Sequence, residues 1–240
     1  MSRGVYGKAF GTSAASLRVY MINDPDMIKH VTATNFSNYE KGAPFIAAME
    51  SFLGQGIFNS NGPAWKHQRN ISKAHFQRED IAGMITTFNK HGAVLASILG
   101  RAADLGEAVE VQDLFQKFTL DSVGDILFSY EFKTLTSDSQ FAKSFDYLQQ
   151  ESLYRLRNPL WVFTAFLKQQ EYGRHLKIVH GLVEKIVQTC LTDPKLSERE
   201  DLLAHFVQSK DDHGQAHSIP FLRDVCLNFL LAGRVIFLSK

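Results

Sequence analysis

Gly54-Gln55-Gly56-Ile57-Phe58-Asn59-Ser60-Asn61-Gly62-Pro63-Ala64-Trp65-Lys66-His67-Gln68-Arg69-Asn70-Ile71-Ser72-Lys73-Ala74-His75-Phe76 is the stretch on which the fold turns. Asn61 suits a helix cap, and Pro63 suits the first turn, where a missing N–H loses no hydrogen bond. The spacing therefore predicts a helix starting near residue 62. Trp65 and Arg69 are four apart, so an indole N–H and a guanidinium emerge on one face, one turn from each other. Both side chains only donate, and an Arg fork matches a carboxylate in bidentate fashion. The pair asks for an anion carried on a flat apolar body. A core Trp beside an Arg in an internal ion pair satisfies the same spacing.

Upstream, residues 5–10 and 17–22 read as two short strands with a Gly and Ser turn between them. Asn23 and Asp24 before Pro25 start a helix predicted to reach about Thr34, and a short amphipathic segment follows from Pro44 to Phe52. Downstream, Ile81, Met84, Ile85, Phe88, Leu95, Ile98 and Leu99 recur at helical spacing, predicting a long helix that ends near Gly100. Further helices are expected over 111–127 and 139–156, the second stopped by Asn158-Pro159. The apolar run Leu160–Leu167 comes next, then a helix of about six turns ending at Cys190. Ser197-Glu198-Arg199-Glu200 reads as a capping box, and Ser218 opens a last helix that is apolar nearly all round. The expected class is mainly α with a small N-terminal β lobe: one unit over 1–240, with a strand-bearing part at 1–60 and a helical part at 61–240.

A 240-residue chain that is 45% hydrophobic can bury one large core. Its 26 Lys and Arg against 25 Asp and Glu leave no basic excess for an extended nucleic-acid surface, so no nucleic-acid partner is expected. Nineteen Phe suit either a core or a roomy apolar pocket. No apolar run reaches bilayer length, the longest being Leu160–Leu167, and no charged-then-apolar leader opens the chain. Cys190 and Cys226 form no spaced metal motif.

Other motifs have plain readings. Gly54-Gln55-Gly56 lacks the third glycine and the strand-to-helix setting of a dinucleotide site. His213 and His217 flank a turn, and His175 and His180 point to different helix faces, so neither pair suits zinc. Asp113, Asp121 and Asp125 read as ion-pair or internal partners on one helix. Lys66, Lys73 and Arg78, with His67 and His75, give a positive face that is either solvated or docks an acidic partner.

Taken together, these stretches resemble the N-terminal half of the cytochrome P450 superfamily of haem-thiolate monooxygenases. Trp65-Lys66-His67-Gln68-Arg69 looks like the family's Trp-x-x-x-Arg helix, and Leu230-Leu231-Ala232-Gly233-Arg234 like the start of its long central helix. Asn38-Tyr39-Glu40-Lys41-Gly42, Phe118 to Phe128 and Asp201-Leu202-Leu203 are similar to the fatty-acid and alkane ω-hydroxylase branch. The resemblance implies a P450 fold that stops within the central helix, and haem b with a propionate held by Trp65 and Arg69. It also implies an oxygen and substrate groove along Ala232 and Gly233, a long-chain alkyl substrate, and an NADPH-dependent reductase docked on Lys66, Lys73 and Arg78.

For the full-length relative it implies an anchor in the endoplasmic reticulum membrane, with peripheral contact near Leu160–Leu167. After Arg234 the chain departs from the family's acid and threonines, and neither Cys190 nor Cys226 sits in a loop like that of the axial cysteine. No metal ligand is therefore assigned, and the 240 residues alone are expected to be inactive and not to retain haem. The alternatives are a non-catalytic helical fragment or binding module, and a helical scaffold unrelated to haem.

Overall fold

The computed structural model describes residues 9–14, 17–75, 78–158, 160–211 and 213–235. Contacts divide the chain into two compact units, Met1–Gly42 and Ala43–Lys240.

The first unit holds a two-stranded antiparallel sheet, β1 (Ala9–Ala14) and β2 (Leu17–Ile22), in a register that pairs Ala9 with Ile22 and Ala14 with Leu17. The first strand thus runs on past Phe10, where the sequence predicts a turn. Gly11, Thr12 and Ser13, expected to turn, pair instead with Tyr20, Val19 and Arg18, while residues 5–8 fall outside the described residues. The ladder satisfies their backbone groups and the Tyr20 ring lies against Gly11, so pairing overrides the weak strand propensity of Gly and Ser. Asp24 then caps α1 (Pro25–Lys29) by accepting from the N–H groups of Asp26 and Met27 at 3.2 and 3.3 Å. A π-helical turn, His30–Thr34, carries the segment to the expected end.

The second unit is helical: α2 (Ala43–Leu53), α3 (Gly62–His75), α4 (Arg78–Leu105), α5 (Val111–Phe128), α6 (Gln140–Arg157), α7 (Trp161–Leu191), α8 (Leu202–Gln208) and α9 (Ile219–Val235). The compact strand unit ends at Gly42, ahead of residue 60, because α2 buries Ala48, Met49, Phe52 and Leu53 in the helical core. There Phe52 meets Phe145 edge-on with centroids 5.2 Å apart, and Phe141 stacks on Phe132 at 4.8 Å. Helix α6 runs along α7, α9 packs on α5 and α7, and α8 wedges against α3, α5 and α7.

Three boundaries differ from the sequence reading. Helix α4 continues through Gly100 to Leu105, because a mid-helix glycine costs only about 1 kcal/mol. It stops at Gly106, φ +66°, where Gly106 and Glu107 return N–H bonds to Ala103 and Ala102. The run at 160–167 and the helix after it are one 31-residue α7. Ser197 and Glu200 do not cap α8; Asp201 does, accepting from Ala204 N at 3.1 Å, and residues 196–198 form a 3₁₀ turn instead. The other oxygen of Asp201 takes Arg199 Nε at 2.7 Å and Ser129 Oγ at 3.0 Å, so one carboxylate closes both the cap and the α5 terminus.

Candidate functional site

The helix bearing Trp65 and Arg69 is launched from a glycine turn held by the last helix. Gly54 has φ +54°, which suits glycine, and a Cβ on it would lie 1.9 Å from Asp224 Oδ2. A Cβ on Gly56 would lie 1.9 Å from Asn228 Nδ2. Into the room so left, Gln55 N–H donates to Asp224 Oδ2 at 3.0 Å and Phe58 N–H to Asn228 Oδ1 at 2.8 Å. Asn228 Nδ2 donates in turn to Leu53 O at 2.9 Å and Asp224 O at 2.7 Å. The opening Gly-Gln-Gly is thus a docking turn, consistent with discounting it as a nucleotide loop. Asp224 and Asn228 were missed in the sequence; the available signal was two polar residues one turn apart on a largely apolar helix.

Gln68, 1% exposed, donates through Nε2 to Gln55 O at 2.9 Å and to Ser60 Oγ at 3.3 Å, tying α3 back to the same turn. Trp65 is half-buried and Arg69 is exposed. Among the described residues Arg69 makes no ion pair and no side-chain hydrogen bond. The internal ion pair that its spacing allowed is therefore not formed, and its five donors are unspent.

The positive face is smaller than the sequence suggests. Lys66 and Lys73 are exposed, but His75 is buried, its Nδ1 donating to Glu200 O at 3.2 Å with the His205 ring 5.6 Å away. His67 turns toward His217, ring centroids 5.6 Å apart, and the Arg78 side chain lies outside the described residues. Burial, and then the neighbouring His67, hold the His217 imidazole below its usual range.

Ala232 and Gly233 are half-buried near the end of α9. A Cβ on Gly233 would lie 2.4 Å from Val123 Cγ2, so the missing side chain lets α9 approach α5 closely.

Asp113 pairs with Lys117 at 2.7 Å, and Asp125 with Lys90 at 2.9 Å and His91 at 3.2 Å. Asp121, 2% exposed, accepts from Thr134 and Leu135. Asp113 thus forms a helix-face pair, while Asp121 and Asp125 hold internal partners. His175 meets Ser144 Oγ at 3.0 Å and His180 donates to Phe52 O at 3.3 Å. Among the described residues no group of three or more His, Cys, Asp or Glu could hold a metal ion.

A haem would meet these residues from two sides. On the propionate side the fit is good: an unspent guanidinium stands one turn from a half-buried indole. On the iron side it fails. Cys190 and Cys226 are each 1% exposed in the core, and burial pushes the first thiol up to about 11 and the second well above its ordinary value. Both thiols face the core, where no open surface brings a ring to them. Among the described residues no helix is long and apolar enough to cross a membrane.

The sequence profile of the Cytochrome P450 family matches residues 2–235. Cytochrome P450 704B1 of Arabidopsis thaliana is 31% identical over 89% of this chain and 45% of its own length. Cytochrome P450 94A1 of Vicia sativa is 29% identical over 88% of this chain and 44% of its own. The crystal structure of the cytochrome P450DA heme domain superposes with a TM-score of 0.78 over 96% of this chain and 50% of its own, at 18% identity. The chain spans about half the length of the curated relatives it matches, and the profile match over residues 2–235 together with these relatives places it in the cytochrome P450 family.

Proposed function

We propose that these 240 residues are the propionate-binding and substrate-side half of a haem-dependent monooxygenase that hydroxylates fatty acids or related alkyl chains. The unspent Arg69 guanidinium beside Trp65 carries this reading. Bound haem supplies the activation of O2 that inserts one oxygen atom into a C–H bond. Trp65 and Arg69 would donate to a propionate and so hold the ring; Ala232 and Gly233 would contribute the small-residue stretch of α9 beside the substrate groove. The alkyl preference rests on the branch-like segments at 38–42, 118–128 and 201–203 and on relatives such as cytochrome P450 704B1 and 94A1. Lys66 and Lys73 present exposed ammonium groups to an acidic reductase, where complementary charge mainly speeds encounter; Arg78 joins them in this reading on its sequence position alone.

Membrane contact belongs to the same reading. Leu160, Val162, Phe163, Phe166 and Leu167 are each more than 60% exposed at the head of α7, an apolar face suited to a lipid surface. The full-length relative would then sit on the endoplasmic reticulum membrane. Phe163→Ser with Phe166→Ser is expected to abolish sedimentation with phosphatidylcholine vesicles, and unchanged sedimentation refutes the contact.

Because both cysteines are buried, this half does not hydroxylate or ligate iron by itself. A thiolate Soret band from the CO-treated, reduced 240-residue chain would overturn that statement. For the clamp, Arg69→Ala is expected to weaken binding of iron-free protoporphyrin IX, which needs no axial ligand, about tenfold, the effect of losing a charge-assisted contact of about 1.4 kcal/mol. Unchanged binding would refute it.

One observation favours the alternative of a non-catalytic helical module. Ile85, Phe88 and Phe115 are exposed on α4 and α5, with Phe118 6.4 Å from Phe115, a face suited to association. Sedimentation equilibrium decides: concentration-dependent association favours the module, and a clean monomer counts against it.

A further inference from the structure

We infer that Gln68, Asp224 and Asn228 are positioning residues that set the rotation of α3, and so the aim of Arg69, from the last helix. The inference rests on the clamp reading of Trp65 and Arg69 and adds the device that points it. Successive helical residues are about 100° apart, which places Gln68 about 60° to one side of Trp65 and Arg69 about 40° to the other. Exposure follows that rotation: Gln68 is buried at 1%, Trp65 half-buried and Arg69 exposed. Fixing Gln68 inward therefore fixes Arg69 outward.

What fixes Gln68 is Gln55 O, its acceptor at 2.9 Å. That carbonyl belongs to a turn whose N–H groups are bonded by Asp224 and Asn228, at 3.0 and 2.8 Å. The Asp224 carboxylate is itself held, since Arg223 donates to its Oδ1 at 2.7 and 3.0 Å while reaching Glu184 at 2.8 Å. The relay thus runs from α7 through Arg223 and Asp224 on α9 to Gln55 and then Gln68. Every link is a hydrogen bond, and Asp224, Asn228 and Gln68 are all at least nine-tenths buried. Steric room enforces it too, since either Gly54 or Gly56 with a side chain would collide with these two α9 residues.

The test uses iron-free protoporphyrin IX, which needs no axial ligand, and its dimethyl ester, in which both propionates are blocked. Porphyrin fluorescence titrations of the 240-residue chain give the ratio of the two affinities. The parent chain is expected to prefer the diacid about tenfold, equivalent to about 1.4 kcal/mol, and Arg69→Ala to bring the ratio to about one. Asp224→Asn and Gln68→Met are expected to cut the ratio at least threefold while leaving ester affinity unchanged. Gln68→Met leaves α9 untouched and carries the test where Asp224→Asn does not fold.

A parental ratio in the folded positioning variants, with Arg69→Ala still abolishing the preference, overturns the inference and leaves the clamp standing. Equal loss of both porphyrins in those variants, the pattern of a purely structural role, overturns it as well. A ratio indifferent to Arg69→Ala, or no preference in the parent, refutes the clamp itself and the inference with it.

Discussion

Asp121 gives the sharpest stability prediction. It lies in α5, 2% exposed, and its Oδ1 accepts Thr134 N and Thr134 Oγ1 at 2.8 Å each while Oδ2 accepts Leu135 N at 3.0 Å. It therefore pins the segment after α5 to the helix without any cation. Asp121→Ala would strand two backbone donors, each costing about 1–3 kcal/mol when left unmade, so a loss of about 2–6 kcal/mol is expected. Asp121→Asn keeps a carbonyl for both Thr134 donors and turns its NH2 toward Leu135 N–H, losing one bond. Its cost should be about 1–3 kcal/mol, roughly half that of the alanine variant. Urea unfolding followed by far-ultraviolet circular dichroism measures both. If asparagine costs as much as alanine, or either costs under about 0.5 kcal/mol, the hydrogen-bond account of Asp121 is refuted.

Arg69→Ala should leave the unfolding free energy within about 0.5 kcal/mol of the parent, because the exposed guanidinium has no partner among the described residues; a larger loss would expose a structural role. Burial holds His180 below its usual range, so as pH falls through about 6.5 the unfolded chain takes up a proton that the fold refuses. Stability is thus complete above about pH 7 and should fall on acidification by up to about 1.4 kcal/mol per pH unit. Urea midpoints at pH 7.5 and 5.5 check this: His180→Gln should lessen the drop, and a flat or rising profile contradicts it. Cys190 and Cys226 should react with iodoacetamide at pH 8 only as fast as the helical unit opens, and rapid labelling of either would contradict their burial.

Much of the helical frame was legible because apolar periodicity and caps report it directly. Ser139 caps α6, accepting from Ala142 N at 3.2 Å, and the Val179, Val183, Ile186 and Cys190 stripe of α7 is the face buried in the core. Where local signals competed, long-range ones won. Ser197 looked the better cap, but Asp201 also answers Arg199 and Ser129, contacts that no local pattern encodes. Gly11 looked like a turn until Tyr20 lay over it. In the site, the Trp65 and Arg69 spacing was readable, whereas what Arg69 does in the fold was not, since an unspent donor and an ion-paired one look alike in sequence. Asp224 and Asn228 stayed hidden for a related reason: their partners are backbone groups some 170 residues away.

That separation bears on the order of folding during synthesis. Gln55 leaves the ribosome 169 residues ahead of Asp224, and at about 5–20 residues per second the wait is roughly ten to thirty seconds. Over that interval the Gln55 and Phe58 N–H groups lack their α9 acceptors. Local helices can form at once, but the glycine turn and the aim of α3 are settled only when α9 arrives. The Trp65 helix is thus made well before the helix that locks it.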